Sequence, residues 1–416
     1  MKNNQHFTEH GSSSPSILMY SHDGFGLGHL KRNFNIAKQT VQEIPGSKAL
    51  LIMGHTSIPF HPIPYGIDFV KLPSIIKMNH ESWQPRSLPM ESGKFKELRA
   101  SLIKNVAEHF RPDIFVVDYV PKGVWGELVP TLQFLKESNP KTKIVLGLRD
   151  VIDDPATTRQ RWEKGHTYDV IRQYYDKIFI YGSPEIYDTA YHYGLTGDLE
   201  EKISYCGYLC SEEPFKSRER VRQELRLQHD HLVVITAGGG GDAYEMMRSC
   251  MEALKILQKE VSVEAIFIAG PFMILEERQA LEVQAEGLPV KVYTSTDGLL
   301  NYMNAADLLI TMGSYNTMME AVRLRRPTLV IPREGPSAEQ KIRARIFSEL
   351  GLIKTVDSPS ITPPTLAKAM LKTLSHKPSQ FLLNMNGLSN AVHQLSELIH
   401  PSLHFVPNPD VAVITA

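Results

Sequence analysis

Twice in this chain a short apolar run breaks into a glycine-rich loop and then into a helix with one apolar face. The first instance is SILMY at 16–20, followed by SHDGFGLGH and LKRNFNIAKQTVQEI. The second is HLVVITA from His231, followed by GGGGDA and a helix lined by Met246, Cys250, Leu254 and Leu257. A fully apolar run bounded by glycine reads as a strand buried on both faces. Leu30, Phe34, Ala37 and Val41 recur at three- and four-residue steps and give the first helix a buried side. Further apolar runs lie at 49–53, 68–72, 114–117, 144–148 and 178–181, and, in the second half, at 265–269, 290–293, 307–310 and 328–331. Helical patterns separate them, at 95–110 and about 337–350 among others. Strand and helix alternate throughout, which predicts α/β architecture with two doubly wound parallel sheets.

The 416 residues exceed what one hydrophobic core usually supports, in agreement with two domains. The polar stretch SEEPFKSRERVRQELRLQHD marks the joint. The expected division is a disordered leader at 1–15, an N-terminal domain at 16–210, a linker at 211–230, a C-terminal domain at 231–376, and a helix with a tail at 377–416. Basic and acidic residues number 45 and 46, so nucleic-acid binding lacks its usual electrostatic drive. Cys206, Cys210 and Cys250 are too few for a disulfide framework, which favours a reducing, cytoplasmic setting. Cys206 and Cys210 lack two further ligands nearby and read as packing residues rather than a zinc site. No run of 18 apolar residues occurs, although an amphipathic or basic face meeting a membrane surface stays open. One candidate is the apolar stripe Phe95, Leu98, Leu102, Val106 and Phe110, flanked by Lys94, Lys96, Arg99 and Lys104; a core-facing helix is its other reading.

Ligands of parallel sheets bind beyond the carboxyl ends of strands, where helix N-termini present free amides and a positive dipole end. Gly24, Gly26 and Gly28 alternate in the first loop, and no acidic residue closes the next strand in the dinucleotide manner, which argues against a nicotinamide dehydrogenase. His29 begins the following helix, where it either accepts a proton from an attacking hydroxyl or caps the helix. Of its neighbours, Lys31 reads as a solvated first-turn residue and Arg32 as a brace for the loop or a phosphate contact. Asp118 ends the run IFVVD and either orients His29 or closes a turn. In the second half Gly238, Gly239, Gly240 and Gly241 join strand to helix directly and suit a pyrophosphate cradle. Ser314, Asn316 and Thr317 open a later helix, and Glu320 lies one turn in, where a carboxylate can accept from both ribose hydroxyls or simply meet the dipole. Glu339 and Gln340 open the next helix and can read sugar hydroxyls. Asp150, Asp153 and Asp154 are the nearest approach to a metal clamp, and a turn before Pro155 accounts for them. The segment 73–93 reads as a long irregular loop that can order on an acceptor.

Taken together, GLGHLKRNFNIA, GGGGDA, NAADLLITMGSYNTMMEA and RRPTLVIPREGPSAEQKIRA resemble glycosyltransferase family 28, the MurG-like enzymes, and within it a group without an assigned acceptor. The resemblance covers most of 16–375 and is most specific at 290–345. It implies the GT-B fold, two facing Rossmann-like domains with a cleft between them. It also implies a metal-independent, inverting hexosyl transfer without a cofactor. The donor would be a nucleotide-diphosphate sugar, UDP-linked, carrying a hexose or N-acetylhexosamine, and the acceptor a small-molecule or lipid-linked hydroxyl. The place would be the cytoplasm, with peripheral contact at the inner membrane face. Position by position, Gly26, Gly28 and His29 fall in the catalytic cleft, Gly238 to Gly241 on the diphosphate, Thr317 beside it, Glu320 on the ribose, Glu339 and Gln340 on the donor sugar, and the backbone near Thr296 on the base. Three positions depart from the family pattern: Asp242 stands where a glycine is usual, Ser295 where an aromatic is frequent, and Met312 where arginine is found. An acid beside a pyrophosphate is repulsive unless it recruits a cation or points away. The same fold also leaves open a nucleotide-sugar epimerase or hydrolase, and a nucleotide-sugar-binding protein without turnover.

Overall fold

In the computed structural model the described residues are 14–22, 28–55, 62–77, 83–296, 298–335, 337–357 and 361–399. The N-terminal sheet comprises β1 (Ser16–Ser21), β2 (Lys48–Met53), β3 (Ile67–Lys71), β6 (Ile114–Asp118), β7 (Lys143–Arg149), β8 (Lys177–Tyr181) and β9 (Ile203–Tyr205), with β4 (Ile75–Lys77) and β5 (Trp83–Pro85) forming a separate antiparallel hairpin. The second sheet comprises β10 (His231–Thr236), β11 (Val263–Ile268), β12 (Val290–Tyr293), β13 (Leu308–Thr311), β14 (Thr328–Val330) and β15 (Lys354–Thr355). Both large sheets are parallel throughout. Their orders are β3-β2-β1-β6-β7-β8-β9 and β12-β11-β10-β13-β14-β15. Two such Rossmann-like sheets in one chain make the GT-B fold. Every residue of β1 is buried, as expected of a strand covered by helices on both faces.

Each sheet reverses its strand order at one place, between β1 and β6 and between β10 and β13. There the connections leave to opposite sides, and the carboxyl ends of the strands open a crevice. The two glycine loops follow β1 and β10, Asp118 ends β6, and the turn carrying Ser314 follows β13. Topology alone therefore brings four sequence-distant segments to one cleft.

Helix bounds follow local chemistry. The helix Ser92–Phe110 starts where the Glu91 carboxylate accepts from the amides of Gly93 and Lys94, at 2.7 and 3.0 Å. Its buried face carries Phe95, Arg99, Ile103 and Ala107. Arg99 is thus no member of a basic membrane-facing flank: fully buried, it pairs with Glu127 through Nε at 2.6 Å and Nη2 at 2.8 Å. Glu127 also accepts from the Tyr20 hydroxyl. The core-facing alternative is the one realised, because Leu102, Val106 and Phe110 pack on the same N-terminal core. The segment 73–93 is likewise more regular than its composition suggests, since it contains the β4–β5 hairpin.

The chain crosses between domains more than once. The helix Arg218–Leu225, within the linker stretch, buries Val221 against the C-terminal sheet, and Arg218 and Arg222 both hold Asp307. The last helix, Gly387–Ile399, returns to the N-terminal domain, where Leu388, Ala391 and Leu395 join the core around β1 and β2. Tyr315, opening the helix Tyr315–Leu324 of the C-terminal domain, pins the two halves: its hydroxyl donates to the Tyr181 carbonyl at 2.9 Å and accepts from the Leu209 amide at 2.9 Å. Among the described residues, no helix is long and apolar enough to cross a membrane. Cys206, Cys210 and Cys250 are all free and buried.

Candidate active site

The N-terminal wall of the cleft is built on the end of β6 and the start of the helix Gly28–Glu43. His29 Nδ1 lies 2.5 Å from Asp118 Oδ2. The Asp118 carboxylate can only accept, so the proton between them belongs to Nδ1, from which Arg32 Nη2 also stands 2.9 Å away, and burial, which lowers the pKa of the ring, keeps it neutral. Nε2 is then left as an acceptor. Arg32 grips the same carboxylate from the other side, with Nε to Oδ1 at 2.8 Å and Nη2 to Oδ2 at 2.9 Å. Arg32 and Asp118 are 2% and 1% exposed, so this pair is a fixed strut and not a free phosphate ligand.

Charges set by these neighbours agree with that tautomer. Burial pushes His29 below its usual 6.5, Arg32 and Arg149 add to the shift, and Asp118 opposes it. Burial would raise Asp118, but Arg32 and His29 outweigh it and hold the carboxyl far below the usual carboxylate range. Aromatic groups close in around the ring. His22 sits edge-on to His29 at 4.2 Å, and Tyr119 lies 5.1 Å from it. His22, His29 and Asp118 bring possible ligand atoms within 4.8 Å of one another. A cation there would have to displace the Arg32 guanidinium, so the group suits proton handling better than metal binding.

The opposite wall belongs to the C-terminal domain. Gly238, Gly239, Ser314, Thr317, Glu320, Glu339 and Gln340 all line the cleft together with His29 and Gly28. Gly240 and Gly241 do not. Gly240 is needed for another reason: at φ +85° a Cβ would stand 1.9 Å from the Ala269 carbonyl oxygen, so the loop is pressed against 269–270. Thr296 is also not among the lining residues, whereas Leu299 is. Gly26 lies outside the described residues. Ser314 donates to the Thr317 hydroxyl at 3.0 Å.

Ion pairs knit the two walls together. Lys31, expected in solvent, instead meets Glu320 across the cleft at 2.7 Å, because the first turn of its helix faces the other domain. Glu320 is 3% exposed; burial would lower Lys31, and Glu320 more than reverses this. Glu339 is held between Arg149 at 2.6 Å and Arg343 at 2.7 Å, and Arg343 in turn grips Asp150 at 2.7 Å. Burial would raise Glu339, but the two arginines bring it down to about 2. Asp153 accepts from the Ala338 amide at 2.8 Å, capping the helix Glu339–Glu349 from the other domain, and Asp154 caps its own helix through the Thr157 amide. Of the three aspartates of RDVIDDP, Asp154 thus serves the turn before Pro155, while Asp150 and Asp153 make contacts to the other domain. Asn316 donates to the Gly28 carbonyl at 3.1 Å. Met312 is buried in the C-terminal core.

Arg149, Arg333, Tyr119, His22 and Trp83 also line the cleft and are functional candidates that the sequence did not single out. Tyr119 carried one detectable signal, its place directly after Asp118; its φ of +70° is a strained setting for an aromatic residue and turns its ring beneath Arg149, 4.7 Å away.

Residues 232–399 match the glycosyltransferase family 28 C-terminal domain. The C-terminal part of the chain is thus similar to glycosyltransferase family 28. The chain is 26% identical over 226 residues to an uncharacterized glycosyltransferase of Methanopyrus kandleri, covering 53% of this chain and 61% of that one. It is 22% identical over 210 residues to a UDP-N-acetylglucosamine–N-acetylmuramyl-(pentapeptide) pyrophosphoryl-undecaprenol N-acetylglucosamine transferase of Bacillus cereus, covering 48% of this chain and 56% of the relative. The match thus spans less than two thirds of either relative. The crystal structure of Acinetobacter baumannii MurG superposes with a TM-score of 0.57 at 15% identity, covering 93% of this chain and 99% of that one. That likeness gives the GT-B fold.

Proposed function

We propose that this protein transfers a hexose or N-acetylhexosamine from a nucleotide-diphosphate sugar, UDP-linked, to a hydroxyl acceptor with inversion at the anomeric carbon. The observation that supports this most is the opposition of walls: a neutral His29 held by Asp118 faces the loop at Gly238 and Gly239, with Glu320 and Gln340 beside it. In this reading His29 Nε2 takes the proton of the acceptor hydroxyl as its oxygen attacks the anomeric carbon from the N-terminal side. The diphosphate departs toward the amides of the glycine loop and the helix start at Ser314, which meet the developing charge without a cation. Glu320 would accept from the ribose hydroxyls, and Gln340 and Glu339 from the sugar. Both Glu339 oxygens already receive arginine N–H groups, so Gln340 is the freer of the two.

The printed activity of the Bacillus relative involves UDP-N-acetylglucosamine and a pyrophosphoryl-undecaprenol acceptor. A UDP-sugar and a lipid-linked hydroxyl are accordingly the donor and acceptor to try first, at the cytoplasmic face of a membrane. The non-catalytic reading drew on Asp242, and it loses that support because Arg333 stands 3.3 Å from this carboxylate. A thermal-shift screen over nucleoside diphosphates and nucleotide sugars tests the donor site, since a ligand selective for the native state raises Tm. Product analysis with and without acceptor then separates transfer from hydrolysis and epimerisation. Sugar release or epimer formation at full rate without acceptor would overturn the proposal.

A further inference from the structure

One ion pair of the cleft is built differently from its neighbours. Lys31–Glu320, Arg32–Asp118 and Arg149–Glu339 close at 2.7, 2.8 and 2.6 Å, and each uses a carboxylate no more than 10% exposed. Freeing any of those cations would leave a buried acid without its partner. Arg333 meets Asp242 at 3.3 Å, longer than a good charged hydrogen bond, and the Asp242 side chain is 43% exposed. Arg333 Nε is buried and has no hydrogen-bond partner. The residue follows β14, its backbone amide donates to Gln340 Oε1 at 3.2 Å, and it lines the same cleft as Gly238, Gly239, Ser314 and Thr317. Among the described cations of the cleft it is therefore the one that can change partner without stranding a buried charge.

We propose that Arg333 is a phosphate-binding residue of the donor site, and that Asp242 is the counter-ion on which it rests until the diphosphate arrives. This deepens the donor reading above and rests on it. A diphosphate entering beside Asp242 would otherwise meet like charge with only loop amides to offset it. A guanidinium that leaves an exposed carboxylate loses little, because such pairs are weak, and gains a bidentate anion. The acid that departs from the family pattern then has a role. It holds the arginine at the loop and screens it from other anions, while Arg333 in turn neutralises it.

The test is calorimetric binding of UDP, uridine and inorganic pyrophosphate to the wild type, Arg333→Ala, Arg333→Lys and Asp242→Ala. Arg333→Ala should weaken UDP and pyrophosphate by about ten- to a hundredfold and leave uridine within about twofold. Arg333→Lys should fall between, since it keeps charge and loses the fork. Asp242→Ala should bind UDP as tightly as the wild type or a few fold tighter, with or without a chelator. The inference is overturned by equal loss of UDP and uridine, by unchanged UDP affinity in Arg333→Ala, or by a weakened Asp242→Ala whose defect disappears when the chelator removes a metal. If the wild type binds no nucleoside diphosphate at all, it is the donor reading that fails, and pyrophosphate binding by Arg333→Ala still decides for or against the arginine.

Discussion

Asp118 and Glu320 have different tasks at the cleft, and their surroundings show why. Asp118 is fixed by Arg32 and His29, so its effect reaches the chemistry only through the imidazole. Replacing His29 by Ala should leave UDP affinity unchanged and lower turnover by about 100-fold or more, measured by initial rates and calorimetry on the same preparation. Because burial holds His29 below 6.5, the base form persists as pH falls past that value. The acidic limb of kcat/KM should accordingly lie below 6.5, with a flat rate from there to pH 8. Asp118→Asn removes an influence that raises His29, so the limb should move to lower pH while the maximal rate drops. Glu320 acts on binding instead. Glu320→Ala should weaken UDP about tenfold or more and spare pyrophosphate, as expected if ribose hydroxyls lose their acceptor. The place of His29 and Glu320 at the cleft was legible in the sequence because each sits at a fixed step from a strand end. Asp118 was open as a partner of His29, because both follow strand ends of one sheet, but the pairing of Glu320 with Lys31, 289 residues away in the other domain, was not legible. Nothing in a linear pattern says which acid a lysine will meet.

The glycine loops show the same division between what is local and what is not. Strand, glycines and helix were readable as a unit because burial on both faces makes the strand wholly apolar and the turn demands glycine. That four consecutive glycines serve two purposes was not readable. Gly238 and Gly239 open onto the cleft, whereas Gly240 packs against the strand end of β11, a neighbour fixed only by the sheet order. Gly240→Ala, at φ +85° and with its Cβ 1.9 Å from a backbone oxygen, should cost more than about 2 kcal/mol in urea unfolding. Gly241→Ala meets only Phe272 at 3.6 Å without a positive φ and should stay within about 1 kcal/mol. Equal effects would mean that the loop relaxes in solution. The β4–β5 hairpin was hidden for a related reason: strands of three residues carry no alternation long enough to read.

At the scale of the whole molecule the two domains are joined by charge as well as by core. The helix Gly387–Ile399 crosses back to bury Leu388 and Leu395 in the N-terminal domain, and the chain Arg149, Glu339, Arg343 and Asp150 runs through the interface. Such a clamp costs desolvation and repays it only while every member keeps its charge. Glu339 is the member whose carboxyl the two arginines pull below its ordinary range. Its folded value of about 2 lies below the ordinary value near 4.5, so the stability it contributes is fully present above 4.5 and is lost as pH falls through the interval toward 2. With only 10% of the side chain exposed, that contribution is on the order of 3 kcal/mol. Glu339→Gln keeps the shape and removes the titration. Urea unfolding of both proteins between pH 6 and pH 3 should give a wild-type midpoint that falls more steeply than the variant's, the two curves converging at the acid end. Asp118 titrates lower still and is common to both, so it does not distort the comparison. Parallel curves would mean that Glu339 is not held by Arg149 and Arg343 in solution, and that the cleft stays closed by packing around Tyr315 and the returning helix alone.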